Sequence, residues 1–165
     1  MRLTRDKKKE IEQKHLAKID FEDLKKQISE TSQATSIYVG CDSQIIKQSK
    51  TKGFTRFITC VVIHYDTKHG GKAFFQDIRE YRVIPLKERL LKEVYSAVGV
   101  ALEIVDAVGN RNFECHIDIA SDPRWGSNIV HKEAVSYVRA NGLNVKSKPY
   151  SFTASAICDY LLKKV

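Results

Sequence analysis

The sequence is poor in residues that mark several protein classes. It has three prolines, eight glycines, one methionine and one tryptophan among 165 residues. No internal repeat or low-complexity tract interrupts it, which excludes solenoid and collagen-like architectures. No apolar run approaches the roughly 18 residues of a membrane span. The best, FITCVVI from Phe57 to Ile63, has the length of a strand. The opening MRLTRDKKKEIEQKH has no apolar run behind its basic residues, so a signal peptide is not expected. Cysteine is sparse and scattered: Cys41, Cys60, Cys115 and Cys158 stand in apolar contexts and form no CxxC pair. They read as reduced core thiols of a cytoplasmic protein, not as zinc ligands or disulfides. There is no GxGxxG, P-loop or nucleophile elbow, and the five histidines have no metal-ligand spacing.

Acid is also in short supply. Twenty-eight Lys and Arg against twenty Asp and Glu leave a net charge of +8 and a pI near 9.3. That excludes an acidic binding protein and makes a polyanion, nucleic acid first, the expected partner. The hydrophobic share of 42% supplies one sizeable core at a single-domain length.

Two pieces are visible along the chain. Residues 1–35 are polar and mixed in charge, with nine basic and seven acidic residues. Asp20 and Asp23 mark a helix start, and Phe21, Leu24 and Ile28 make one apolar stripe. This piece is expected to be an N-terminal helical extension, joined by TSQATS at 31–36 to a second unit, residues 36–165. There the pattern reads β-β-β-α-β-α-β-α. The strands are 37–42, 54–65, 73–84, 113–120 and 143–148; the helices are 86–108, 128–140 and 153–164. A basic loop from Gln44 to Gly53 carries Lys47, Lys50 and Lys52. Three consecutive strands allow an antiparallel meander, and the later alternation calls for right-handed parallel crossovers. A mixed five-stranded α/β sheet with flanking helices is the simplest solution.

Acidic residues are disfavoured inside strands, so Asp42 and Asp118 stand out. Asp42 shares a face with Tyr38 and Gly40; alone, it reads equally well as a turn-starting Asp. Asp118 shares a face with Glu114 and His116, in an otherwise apolar strand. Leu86, Leu90, Val94, Ala97, Val98, Ala101, Leu102 and Val105 make the apolar stripe of the long helix, and Glu93 lies about 20° outside it, where it could reach over a sheet edge. Glu88 lies on the other border and competes with it. A surface pair with Arg89 is the plainer reading of Glu93. Periodicity points Asp159 away from the buried face of the last helix. If the first and fourth strands pair in parallel, Asp42 and Asp118 are neighbours. Carboxylates about 4 Å apart repel by roughly 4 kcal/mol at an effective dielectric of 20. Protons or a hard divalent cation, Mg²⁺ or Mn²⁺, would be needed to neutralise them.

Strand order and carboxylate placement resemble the ribonuclease H-like superfamily. The runs Ile37-Tyr38-Val39-Gly40-Cys41-Asp42-Ser43-Gln44, Phe57-Ile58-Thr59-Cys60 and His116-Ile117-Asp118-Ile119, with Lys146-Ser147-Lys148-Pro149 before Ala154-Ser155, are similar to the YkuK-like family within it. The resemblance covers residues 36–165. It implies a ribonuclease H-like fold and a two-metal site on a first-strand Asp, a helix Glu, a fourth-strand Asp and a C-terminal-helix Asp. Those positions are Asp42, Glu93, Asp118 and Asp159. Two Mg²⁺ or Mn²⁺ ions there would support phosphodiester hydrolysis. The basic positions Lys47, Lys50, Lys52, Arg56 and Arg124 are expected to meet the phosphate backbone, and Trp125 to stack on a base. Fold alone does not carry activity. A non-catalytic nucleic-acid-binding module of the same fold and a partner-binding protein are the alternatives.

Overall fold

β-Branched and aromatic residues dominate the long strands, and their alternation gives the sheet two different faces. A computed structural model describes residues 15–124, 128 and 130–164. The elements are β1 (Leu16–Lys18), α1 (Phe21–Ser29), β2 (Ser36–Lys47), β3 (Gly53–His64), β4 (Gly71–Glu80), α2 (Leu86–Val108), β5 (Asn112–Ala120), α3 (His131–Ala140), β6 (Asn144–Lys148) and α4 (Asp159–Lys164). A π-helical turn at Thr153–Cys158 leads into α4.

The sheet order is β1-β4-β3-β2-β5-β6. The meander β2-β3-β4 is antiparallel, and β5 and β6 are added in parallel beside β2. All five expected strands are present. The sixth, β1, comes from the expected extension and lies parallel to β4 at the edge. Its three residues are too few for an alternation pattern to reveal.

One face of the sheet carries Ile37, Val39, Cys41, Val61, Cys115, Ile117 and Ile119, buried with residues of α1, α2 and α3. The other face carries Ile58 and Cys60, packed with Cys158, Leu161 and Leu162 from the C-terminal turn and α4. All four cysteines are buried and unpaired. No described helix is long and apolar enough to cross a membrane.

Three sequence readings shift. The stripe of α2 is rotated: Leu86, Leu102 and Val105 are exposed, whereas Glu93, Val100, Ile104 and Val108 are buried. The strand bearing Asp42 does not stop there, since β2 pairs with β3 as far as Lys47 opposite Gly53. The expected loop is therefore mostly hairpin ladder. Gly53 closes it in a position where a Cβ would lie 2.8 Å from the Ile46 carbonyl oxygen and 2.9 Å from Val83 Cγ2. Finally, α1 packs into the core through Leu24 and Ile28, both fully buried. Its start is capped by Asp20, whose Oδ1 accepts the Asp23 N–H at 3.2 Å.

Arg111 fastens α1 to the rest. Its guanidinium donates to the carbonyls of Ser29 at the end of α1, of Thr31 and Ser32 just after it, and of Ala107 and Val108 at the end of α2. Two helix C-termini, each carrying partial negative charge, thus share one buried cation. Arg111→Ala leaves these carbonyls without their donor. A loss of roughly 3 kcal/mol is expected in urea unfolding. An unchanged midpoint would show that α1 is not held this way.

Candidate carboxylate site

The site lies where two parallel strands part. β2 and β5 pair from Ser36–Asn112 to Gly40–His116. Asp42 and Asp118 follow two residues later, on the same face. Ligand sites in α/β sheets form at such crevices, beyond the strand C-termini. Further along, the β5–β6 register shifts: His116 is opposite Lys146, but Ala120 is opposite Lys148. Asp118 lies inside this irregularity, which re-aims a strand side chain as bulges do. Lys148 Nζ reaches Asp118 Oδ1 at 3.0 Å. The contact is ionic without hydrogen-bond alignment, and the buried Oδ1 has no hydrogen-bond partner.

Asp42 is half-buried, and its Oδ1 accepts the Ser43 N–H at 2.8 Å. Its carboxyl is pushed up from 3.8 to about 6. Desolvation is the main cause; the charges of Asp118 and Asp159 add to it, while the Ser43 N–H and Arg89 oppose it.

Glu93 reaches the site from below. The rotated stripe of α2 leaves it only 4% exposed. The Ser43 hydroxyl donates to its Oε1. Burial first, then the charge of Asp42, pushes the Glu93 carboxyl well above its usual range. Arg89, one turn earlier, donates to the Ser43 carbonyl at 3.3 Å and to its hydroxyl at 3.2 Å. Arg89 and Glu93 thus meet through Ser43, not as a surface pair. Glu88, the competitor, faces outward and accepts from Arg82 Nη1 at 3.2 Å.

Asp159 opens α4. It lies outside the buried set Cys158, Leu161 and Leu162, as periodicity expects, and its side chain is 38% exposed. Its charge acts on Asp42, and its Oδ2 accepts from Lys163 at 2.7 Å.

The structure therefore places Asp42, Glu93, Asp118 and Asp159 about the point where β2 and β5 part, each with its own partner. Among the described residues, no three His, Cys, Asp or Glu side chains are grouped as a metal-holding set. The chemistry of the four still fits a hard cation. All donors are oxygens, Asp118 Oδ1 is buried without a hydrogen bond, and the Asp42 carboxylate is disfavoured by desolvation first and by Asp118 and Asp159 after it.

The expected phosphate-binding residues fare differently. Lys47, Lys50 and Lys52 are exposed on the β2–β3 hairpin. Arg56 is a correction: it is 5% exposed and turned onto Asp77, with Nη2 2.6 Å from Oδ2. It sits in the inner strand β3, between Gln44 and Arg79, and lies down onto Asp77. Arg124 is exposed but grips Asp122, with Nε 2.8 Å from Oδ2. Trp125 lies outside the described residues. His116 is buried, stacked on Tyr38 and near Phe152. Its Nδ1 accepts the Thr153 N–H at 3.3 Å, which leaves Nε2 to donate to Glu114 at 3.0 Å. Burial lowers its pKa, so it is a neutral structural histidine.

Three contributors escape the sequence reading: Ser43 and Lys148 stand there only as members of the quoted runs, and Arg89 only as a surface partner of Glu93.

Antiparallel meander, parallel additions and a carboxylate cluster at the central strand define the ribonuclease H class of α/β proteins. The profile described as Ribonuclease H-like matches residues 20–163, and the chain belongs to that family. No curated protein and no solved structure is matched.

The pH dependence follows from Asp42. Between pH 3.8 and about 6 the unfolded chain has released this proton while the native protein still holds it. Native stability therefore falls as pH rises through that window, and the full loss is present above it. In chelator, Asp42→Asn is expected to exceed the wild type in stability by about 1–3 kcal/mol at pH 7. The advantage should vanish near pH 4. Urea titrations across this range check it; a constant difference would place the cause elsewhere.

Proposed function

We propose that the protein is a metal-dependent nuclease that hydrolyses phosphodiester bonds beside Asp42. The observation that carries this reading is the burial of Asp42 next to Asp118, Asp159 and Glu93 at the diverging ends of β2 and β5. Such a group of acids is costly unless something positive joins it. Two Mg²⁺ or Mn²⁺ ions, when bound, would supply an activated water and a clamp for the leaving 3′ oxygen.

The chain's own residues divide the remaining work. Asp42, central among the four, would be the shared ligand, with Asp118 and Asp159 on either side. Glu93 is held by Ser43, and Arg89 fixes Ser43 in turn, so this side of the site is oriented from beneath the sheet. Lys148 and Lys163 neutralise Asp118 and Asp159. Both would turn away as the acids take up a cation, and their long stems let them meet phosphate instead. Lys47, Lys50 and Lys52 would hold the nucleic-acid backbone.

A second reading has its own support. Each carboxylate already has a partner, which suits a nucleic-acid-binding module of this fold without turnover. One assay separates them. Labelled RNA–DNA hybrid, single strands and branched DNA are incubated with the protein in Mg²⁺ or Mn²⁺. The nuclease reading expects cleavage that falls about a hundredfold or more in Asp42→Asn and in Asp118→Asn. Binding without cleavage in either metal leaves the second reading. No affinity for any nucleic acid contradicts both.

A further inference from the structure

The sheet face that bears Asp42 continues past the part that α4 covers. The C-terminal turn and α4 pack on Ile58 and Cys60, and Cys158 reaches the Gly40 carbonyl. The next two rows of that face are different. Gln44, Arg56 and Arg79 form one row, and Ile46 and Phe54 the next. Here Tyr81 is 84% exposed. Its ring lies 6.4 Å from that of Phe54, tilted by 51°. Arg79 lies over the Phe54 ring, with Cζ 5.2 Å from the centroid. Beyond them the hairpin end carries Lys47, Lys50 and Lys52. A concavity of about 520 Å³, lined by Gln48, Lys52, Tyr81 and Val83 among others, opens beside Tyr81.

The charges of this patch are uncompensated. Among the described residues, Arg79, Lys47, Lys50 and Lys52 make no ion pair, whereas neighbouring Arg56 and Arg82 are held by Asp77 and by Glu80 and Glu88. An exposed ring, Tyr81, beside the half-buried Phe54 and among unpaired cations is the chemistry that binds unpaired bases and their phosphates together. A duplex keeps its base faces inside its own stack and has no use for the rings. An apolar protein surface would leave four cations facing it without counter-charge.

We propose that Phe54, Arg79 and Tyr81 form a stacking platform for the bases of single-stranded nucleic acid, with its backbone along the hairpin lysines. The platform rests on the reading of this face as nucleic-acid-binding and adds the substrate class: an unpaired strand. Four residues separate Asp42 from Ile46 along β2, roughly 13 Å at the rise of an extended strand. The platform therefore lies beside Asp42, on the sheet face that Asp42 and Asp118 share.

The test is fluorescence anisotropy with labelled oligo-U and oligo-dT of about twelve nucleotides, and with a duplex of the same length. The full chain is used in chelator, so that cleavage plays no part. Single strands should bind more tightly than the duplex. Tyr81→Ala and Arg79→Ala should each weaken single-strand binding roughly tenfold, while Tyr81→Phe keeps it. Both side chains are exposed, and circular dichroism checks that the variants stay folded. Tyr81→Ala should leave the salt slope unchanged, whereas Lys50→Ala lowers it by about 0.7. Wild-type affinity in Tyr81→Ala, a preference for duplex, or no single-strand binding would each overturn the platform. None of these bears on whether Asp42 and Asp118 support cleavage, and failure of cleavage would leave these affinities as they are.

Discussion

The rest of the site depends on one electrostatic constraint. Four acids lie about the point where the central strand β2 parts from β5, and water is partly excluded from them. Their mutual repulsion is met by different means on different sides. Ser43 gives Asp42 a backbone N–H and Glu93 a hydroxyl proton. Arg89 brings positive charge from α2, Lys148 from β6, and Lys163 from α4. Even so, the Asp42 carboxyl is held at about 6. A residual cost of this kind is what a divalent cation would relieve, and it links the fold to the proposed chemistry.

The topology makes the convergence possible. Parallel pairing of β2 and β5 ends at Gly40 and His116, so the strands part where their acids begin. The irregular β5–β6 register then brings Lys148 to Asp118. The same sheet face is closed on one side by α4 and left open on the other, towards the hairpin. A covered acidic centre and an open basic, aromatic extension therefore share one surface. Among the described residues the cations divide accordingly: Arg56, Lys148 and Lys163 are paired with acids, and Lys47, Lys50 and Lys52 at the hairpin make no ion pair.

How much of this the sequence discloses depends on the kind of signal each residue carries. Asp42 and Asp118 are legible because alternation puts each on a definite face, and because parallel pairing of their strands makes them neighbours. Glu93 is legible as a border residue but not as a buried one. Its burial follows from a small rotation of α2 that the apolar pattern, nearly continuous around Leu102 and Val105, does not fix. Asp159 stays on the half-exposed side that the helical count gives it; what the count does not disclose is that its charge acts on Asp42. Arg56 looked like a free basic group, since its partner Asp77 is 21 residues away in another strand. Strand β1 and the embrace of α1 by Arg111 depend on contacts far apart in sequence, which no local pattern encodes.

The central claim is that the acids around Asp42 form a cation-dependent cluster. Its most direct test is a ¹³C carboxyl NMR titration of Asp42, without and with Mg²⁺. The account predicts a midpoint near 6 in chelator, moving below about 4 when Mg²⁺ saturates the site. A midpoint in the ordinary aspartate range in chelator, or one that Mg²⁺ leaves in place, would contradict it.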